Sequence, residues 1–159
     1  MLNSVAEVWG DAPLSLTIGQ FYRQAVQQPG SATAVAFARQ MQHNLPDSLR
    51  YLTTYLSQPL WFDFQIGRVA NLPNGLTVEI LAKKWRESKP GHRQELPIND
   101  YVPLAVLNEA SQIIYRTLIH PDPSKPDVHL PTLPDARSVV VNPLGAWPET
   151  NRRNNRKLI

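Results

Sequence analysis

Apolar and polar residues alternate along 60–85, and this period of two residues predicts a β-hairpin. Residues 73–75, Pro-Asn-Gly, separate the two alternating runs and are typical of a type I turn closed by a glycine with positive φ. A three-residue loop of this kind places Leu72 opposite Leu76 and determines the register of both strands. The following residues, 86–95, are polar with charges of alternating sign, and they predict a surface loop.

In this register one face of the hairpin is almost wholly apolar, and we expect it to form part of the core. Its apolar residues are Phe62, Phe64, Ile66, Ala70, Leu72, Leu76, Val78, Ile80 and Ala82, and the same face carries Arg68 and Lys84. An alternative register has a two-residue Asn74–Gly75 loop, and it requires a bulge at Gly67 to keep the phenylalanines on the inner face. The register without a bulge is the prediction.

The opposite face of the hairpin is too apolar for a plain solvent face and too charged for a core. It includes Trp61, Asp63, Lys83 and Trp85. Aromatic rings beside a few charges are what the centres of protein interfaces contain. These four residues are therefore candidates for binding a partner chain, and the alternative is that a third strand or the chain's own tail covers them.

Three segments before the hairpin have apolar residues at helical spacing, at 17–28, 31–44 and 47–58. Thr17 is predicted as the N-cap of the first helix, because Gln20 three residues later completes a capping box. Either Ser31 or Thr33 is expected to cap the second helix. Pro59 is expected to end the third.

A fourth helix is predicted over 101–119, with Asp100 as its N-cap and Pro103 in its first turn. Its apolar residues recur at helical spacing, at Leu104, Leu107, Ala110, Ile114 and Leu118. We expect this helix to pack across the inner face of the hairpin.

The composition changes after residue 120, where seven of the 15 prolines lie. Extended backbone is expected there, with one strand candidate at 138–142 and disorder beyond Trp147. The pattern thus predicts an α+β fold with a compact domain at 1–120 and an extended proline-rich arm at 121–159. Because such an arm has little core of its own, Val139, Val141 and Trp147 are expected to bind a partner chain.

The chain has no cysteine, which excludes disulfides, thiolate catalysis and cysteine-ligated metal sites, and it suits a cytoplasmic location. No apolar run approaches the length that crosses a bilayer, so we expect no membrane partner. The net charge is +3, and much of the excess lies in one basic cluster near the C-terminus: Arg152, Arg153, Arg156 and Lys157.

None of the sequence motifs for phosphate loops, dinucleotide binding, paired zinc-binding histidines or serine nucleophiles is present. His120, Asp122, Asp127 and His129 have metal-ligand side chains, but they lie in the proline-rich stretch with no sign that they converge. We therefore expect a non-enzymatic chain with no metal and no cofactor.

The order of three helices followed by a hairpin resembles a winged helix-turn-helix, with 47–58 in the recognition position and 71–77 as the wing tip. This resemblance is of element order alone, and it implies DNA binding. Arg50 is the one basic residue of that helix, whereas nucleic-acid affinity is carried largely by lysine and arginine.

Two functional hypotheses follow from these patterns. The first is a protein-interaction or assembly subunit that uses its C-terminal arm and the hairpin face to bind another protein chain, the same or different. The alternative is a winged-helix-like protein that binds RNA or DNA through Arg50 and the basic C-terminal cluster.

Overall fold

The computed structural model of the chain describes residues 2–28, 30–89 and 91–159. The chain divides into two compact units, Met1–Pro59 and Leu60–Ile159, which we call the helical unit and the strand unit. Helices and antiparallel sheets are both present, so the chain has the predicted α+β class. The units divide at Pro59–Leu60, whereas the sequence placed a division at residue 120.

The helical unit contains α1 (Leu2–Trp9), α2 (Asp11–Gln27), α3 (Ala34–Asn44), a 3₁₀ helix (Asp47–Thr53) and α4 (Thr54–Ser57). Thr33, one of the two predicted caps, is the N-cap of α3, and its Oγ1 accepts a hydrogen bond from the Ala36 N–H at 3.1 Å. The cap predicted at Thr17 is wrong, because α2 begins at Asp11. An acidic residue is favoured in the first turn, and Pro13 is tolerated there because the N–H it lacks would have no helical partner.

Residues 47–58 do not form the single α-helix that the sequence predicts. Thr53 and Thr54 donate side-chain hydrogen bonds to the carbonyls three residues earlier, at 2.8 and 2.6 Å. Such local bonds compete with α-helical geometry and suit the tighter 3₁₀ spacing.

The strand unit consists of two four-stranded antiparallel sheets. Its strands are β1 (Leu60–Leu72), β2 (Gly75–Lys89), β3 (His92–Leu96), β4 (Val102–Leu107), β5 (Ile113–Ile119), β6 (Asp127–Leu130), β7 (Ser138–Val141) and β8 (Arg156–Leu158). In the first sheet β1 lies along one side of β2, and β3 and β6 lie end to end along its other side. The second sheet has the order β5-β4-β7-β8.

The β1–β2 hairpin is present, but its predicted register is wrong. Leu72 pairs with Gly75 across a two-residue turn at 73–74, and beyond the turn Ile66 pairs with Ile80. Gly75 has a φ of 140°, and a Cβ there would collide with the Leu130 carbonyl. Close approach of β6 to the start of β2 therefore requires glycine at this position.

A β-bulge between Ile66 and Val69 restores the alternation of the hairpin. A Cβ on Gly67 would collide with the Glu79 carboxylate, and Glu79 Oε2 accepts a hydrogen bond from the Arg68 N–H at 2.8 Å. The glycine thus makes room for the carboxylate that satisfies an N–H beside the bulge. The bulge keeps the phenylalanines on the inner face.

Two corrections concern the predicted loop at 86–95 and the predicted fourth helix at 101–119. Residues 86–95 are not a loop, because they belong mostly to β2 and β3. Residues 101–119 are not a helix but the β4–β5 hairpin. All six residues of β4 are buried, so both of its faces are apolar, and this continuous pattern coincides with helical spacing.

The segment 121–159 is not a separate arm. β6 pairs with β2, β7 pairs with β4, and β8 pairs with β7. The predicted strand at 138–142 is confirmed as β7, and the expected disorder beyond Trp147 is wrong. The prolines of this segment lie in the connections between strands, where they remove no ladder hydrogen bond.

The core of the strand unit lies between its two sheets, since β1 contacts both β7 and β8. Its buried side chains are Phe62, Phe64, Ile66, Val78 and Ile80 from the first sheet and Leu104, Val106, Val139 and Val141 from the second.

Candidate partner-binding surface

The residues of β1 and β2 that point away from this core form one surface of the strand unit. We call it the hairpin outer face and define it by Trp61, Asp63, Gln65, Leu81, Lys83 and Trp85. The observed register places these residues directly opposite one another, as Trp61–Trp85, Asp63–Lys83 and Gln65–Leu81. Directly opposite residues of antiparallel strands have neighbouring side chains, so the four predicted interface residues lie together.

The inner face of the same strands holds this surface in place. The Phe62 and Phe64 rings stack with their centroids 5.5 Å apart. Lys84, opposite Phe62, donates two hydrogen bonds to the buried Asp100 carboxylate at 3.0 and 2.9 Å. Buried rings and a buried ion pair restrain the backbone that carries Trp61 and Asp63.

The free edge of β1 is covered by the segment 148–154. The Phe62 N–H donates to the Pro148 carbonyl at 2.9 Å, and the Ile66 N–H donates to the Asn154 carbonyl at 3.1 Å. The edge of β1 is therefore closed to any further strand.

Glu149 fastens this covering segment to the rest of the unit. Its carboxylate accepts hydrogen bonds from the Asn142 amide, from the Asn155 amide at 2.7 and 2.9 Å, and from the Phe64 N–H at 3.4 Å. Burial raises the pKa of Glu149, while the bonds from these donors oppose the shift.

A cleft of about 430 Å³ opens beside the hairpin outer face. It lies at a gap in the first sheet, because β6 pairs with β2 up to Glu79 and β3 pairs with β2 from Lys84 onward. Its walls include Leu81, Glu95 of β3, and Pro123 from the connection before β6. The sequence did not indicate Glu95 and Pro123, because the strands that place them were not predicted.

Asp63 and Lys83 supply charge at this cleft, together with Glu95. Asp63 Oδ1 is buried and has no hydrogen-bond partner among the residues that the structure describes. A buried carboxylate oxygen without a donor is costly, so this atom is suited to accept a hydrogen bond from a bound group.

The other predicted partner-binding residues lie elsewhere. Val139, Val141 and Trp147 are buried in the core of the strand unit, where they have no surface for a partner chain. Their apolar spacing reflects strand burial within this chain. The partner-binding role predicted for these three residues is therefore withdrawn.

The basic C-terminal cluster is exposed but partly engaged in contacts within the strand unit. Arg156 Nε donates to Ser138 Oγ at 3.1 Å, and Lys157 Nζ donates to the Gly67 carbonyl. Arg152 lies against Gly145, and Arg153 is exposed.

The winged-helix interpretation loses its structural basis. Its recognition segment, 47–58, forms a 3₁₀ helix and one turn of α-helix, and Arg50 pairs there with Asp47 at 2.8 Å. The supposed wing belongs to a four-stranded sheet.

Within residues 2–28, 30–89 and 91–159, no group of three or more acidic or histidine side chains is placed to hold a metal. His129 Nδ1 lies 3.0 Å from Thr77 Oγ1, and the His120 ring contacts Tyr101. Asp122 accepts hydrogen bonds from the Ser124 hydroxyl and N–H, and these bonds lower the pKa of its carboxyl.

In the described part of the chain, no helix has both the length and the apolar character that crossing a bilayer requires. Comparisons with protein-family models, curated proteins and solved structures find no match to this chain.

Proposed function

We propose that this chain is a non-enzymatic protein-interaction subunit that binds a partner chain through the hairpin outer face. The observation that supports the proposal is the pairing of Trp61 with Trp85 and of Asp63 with Lys83, two residues apart along the strands and therefore on one face of the sheet. Large aromatic side chains on a rigid backbone contribute contact area at low cost in conformational entropy, and they dominate binding energy at interfaces.

The exposure of the apolar residues also supports this role. Trp61 and Leu81 are 36% and 43% exposed, although they lie on strands whose alternate residues are buried. An exposed apolar group flanked by charges is typical of a binding surface. The proposal does not include the C-terminal segment as a binding arm, because its apolar side chains lie inside the strand unit.

The experiment is site-directed photo-crosslinking in the cell that produces the chain. A photoreactive amino acid is introduced in place of Trp61, and in a matched control in place of Leu144, an exposed leucine in the β7–β8 connection. A specific adduct from the first position and none from the second is the expected result. The adduct's mass and peptides then distinguish a second copy of this chain from a different protein.

The purified partner is next titrated calorimetrically against the wild type, Trp85→Ala and Leu144→Ala. Loss of a central aromatic residue is expected to weaken binding about 30-fold, equivalent to about 2 kcal/mol. Leu144→Ala is expected to bind as the wild type does. Equal affinity of the wild type and Trp85→Ala would contradict the proposal.

A further inference from the structure

The first sheet is interrupted on one side of β2. Between Glu79, the last residue paired with β6, and Lys84, the first residue paired with β3, β2 has no strand partner on that side in the described residues. A proline lies next to each strand that flanks the gap: Pro97 follows β3, and Pro126 precedes β6. The cleft beside the hairpin outer face opens at this interruption.

The backbone of β2 is oriented for hydrogen bonding across the gap. The Ile80 N–H donates to the Pro126 carbonyl at 2.8 Å, so Ile80 directs its amide toward the side on which β6 lies. Because alternate residues of a strand direct their amides to the same side, Ala82 directs its N–H and C=O into the gap. An extended peptide is the ligand whose backbone matches such a pair of groups.

The side chains around the gap favour a positively charged ligand. Asp63 and Glu95 are carboxylates and Lys83 is an ammonium, so the cleft carries an excess of negative charge. The buried and unpartnered Asp63 Oδ1 is an acceptor for a charged donor, and Leu81 offers an apolar surface beside it.

We propose that the gap in β2 binds an extended segment of the partner protein carrying an arginine or lysine side chain that pairs with Asp63. This inference rests on the proposed function and names the part of the partner that enters the cleft. The four residues of β2 between Glu79 and Lys84 span about 13 Å at the strand rise of about 3.3 Å per residue, so the segment fills the space of about four residues.

The probe is a pentapeptide, acetylated and amidated, with the sequence threonine-valine-arginine-valine-threonine. A matched peptide has glutamate in place of the arginine. Binding to the full chain is measured by NMR chemical-shift changes and by the fluorescence of the strand unit's tryptophans. The arginine peptide is expected to bind at least about tenfold more tightly than the glutamate peptide.

Single substitutions test the charges separately. Asp63→Asn is nearly isosteric and is expected to weaken binding of the arginine peptide about tenfold. Glu95→Gln, at the exposed rim, is expected to cause a smaller loss of affinity. Lys83→Ala is expected to strengthen arginine-peptide binding, because Lys83 faces Asp63 and opposes a second cation. Glu109→Gln removes an exposed carboxylate outside the cleft lining and is expected to change nothing.

Several results would overturn the inference. They are equal binding of the two peptides, no binding at about 1 mM, or weaker binding by Lys83→Ala. N-acetylarginine amide binding as tightly as the pentapeptide would exclude pairing of the backbone. If the Trp61 crosslink and the loss of affinity in Trp85→Ala persist while the arginine peptide fails to compete with the partner, the interaction role stands and this inference falls. If the crosslink is also missing, both fall.

Discussion

The β1–β2 hairpin has two faces that share one backbone and differ in what covers them. On the inner face Phe62 and Phe64 are 1% and 0% exposed, because the second sheet packs over them. On the outer face the neighbouring residue Trp61 keeps 36% of its surface exposed. Adjacent residues of one strand are thus buried on one side and exposed on the other. Substitutions at neighbouring positions are therefore expected to separate stability from partner binding.

The largest expected effect comes from removing the cover of the inner face. Deletion of residues 121–159 removes β6, β7, β8 and the segment that closes the edge of β1. The remaining strands then lack half of the second sheet, including β7 and β8, which contact β1, and 60–120 is expected to lose its fold. Loss of dispersed amide signals in NMR spectra would show this. A truncated chain that keeps native-like signals for β1 and β2 would contradict it.

The contrast between the faces is next tested at two adjacent positions. Phe64→Ala is expected to lower the free energy of unfolding by about 3–5 kcal/mol, because it leaves a cavity in the core. Gln65→Ala, on the exposed outer face, is expected to change it by less than about 0.5 kcal/mol. Urea denaturation followed by tryptophan fluorescence measures both. A similar decrease in the free energy of unfolding for the two variants would mean that the outer face is also covered.

The alternation of these strands could be predicted from sequence because one face is buried, and it correctly placed Trp61, Asp63, Lys83 and Trp85 on the other. The register was predicted only in part: the alternative register contained the bulge at Gly67, but neither register had the two-residue turn at 73–74. At the bulge the Glu79 carboxylate lies beside Gly67 and accepts a hydrogen bond from the Arg68 N–H, a contact that the sequence pattern does not show. The turn and the bulge each shift the pairing by one residue, so together they leave 60–66 on the predicted faces. Between the bulge and the turn the predicted faces are reversed: Val69 pairs with the buried Val78, and Leu72 is exposed.

Elsewhere the pattern was ambiguous for a physical reason. A strand buried on both faces, such as β4, has no alternation, and its apolar run fits a helix equally well. The β-branched residues of 101–119 were the available signal for strands. In 121–159 the prolines indicated extended backbone correctly, but they carry no information on which strands it joins. The cleft depended on that pairing, so Glu95 and Pro123 could not be found.

The buried ion pair of Lys84 with Asp100 offers a third test. Asp100→Leu is expected to lower the free energy of unfolding by about 3 kcal/mol, because it leaves the ammonium of Lys84 in a largely buried site without the Asp100 carboxylate. The double variant Lys84→Met/Asp100→Leu removes both charges and is expected to lie within about 1 kcal/mol of the wild type. Denaturant melts of both variants measure the difference. A double variant as unstable as the single one would show that the pair is itself required.

Glu149 gives a pH-dependent test of the cover over β1. Because burial raises its pKa in the folded chain, the protonated carboxyl is favoured by folding. Its contribution to stability is fully present below the ordinary glutamate pKa and is lost as the pH rises through the raised value. Relative to Glu149→Gln, the wild type is therefore expected to lose stability as the pH rises above the ordinary glutamate pKa and through the raised value. If the free energy of unfolding depends on pH in the same way in the wild type and in Glu149→Gln, the raised pKa of Glu149 is contradicted.

A small expected change in stability, at Trp61, is the sharpest test of the comparison. Trp61→Ala removes a larger side chain than Phe62→Ala, yet it is expected to lower the free energy of unfolding by less than about 1 kcal/mol, against about 3–5 kcal/mol for its neighbour. Apolar burial, and not side-chain size, determines the cost. The same Trp61→Ala variant is expected to lose partner binding. A variant that is strongly destabilised would place Trp61 in a core and remove the hairpin outer face as a surface for recognition.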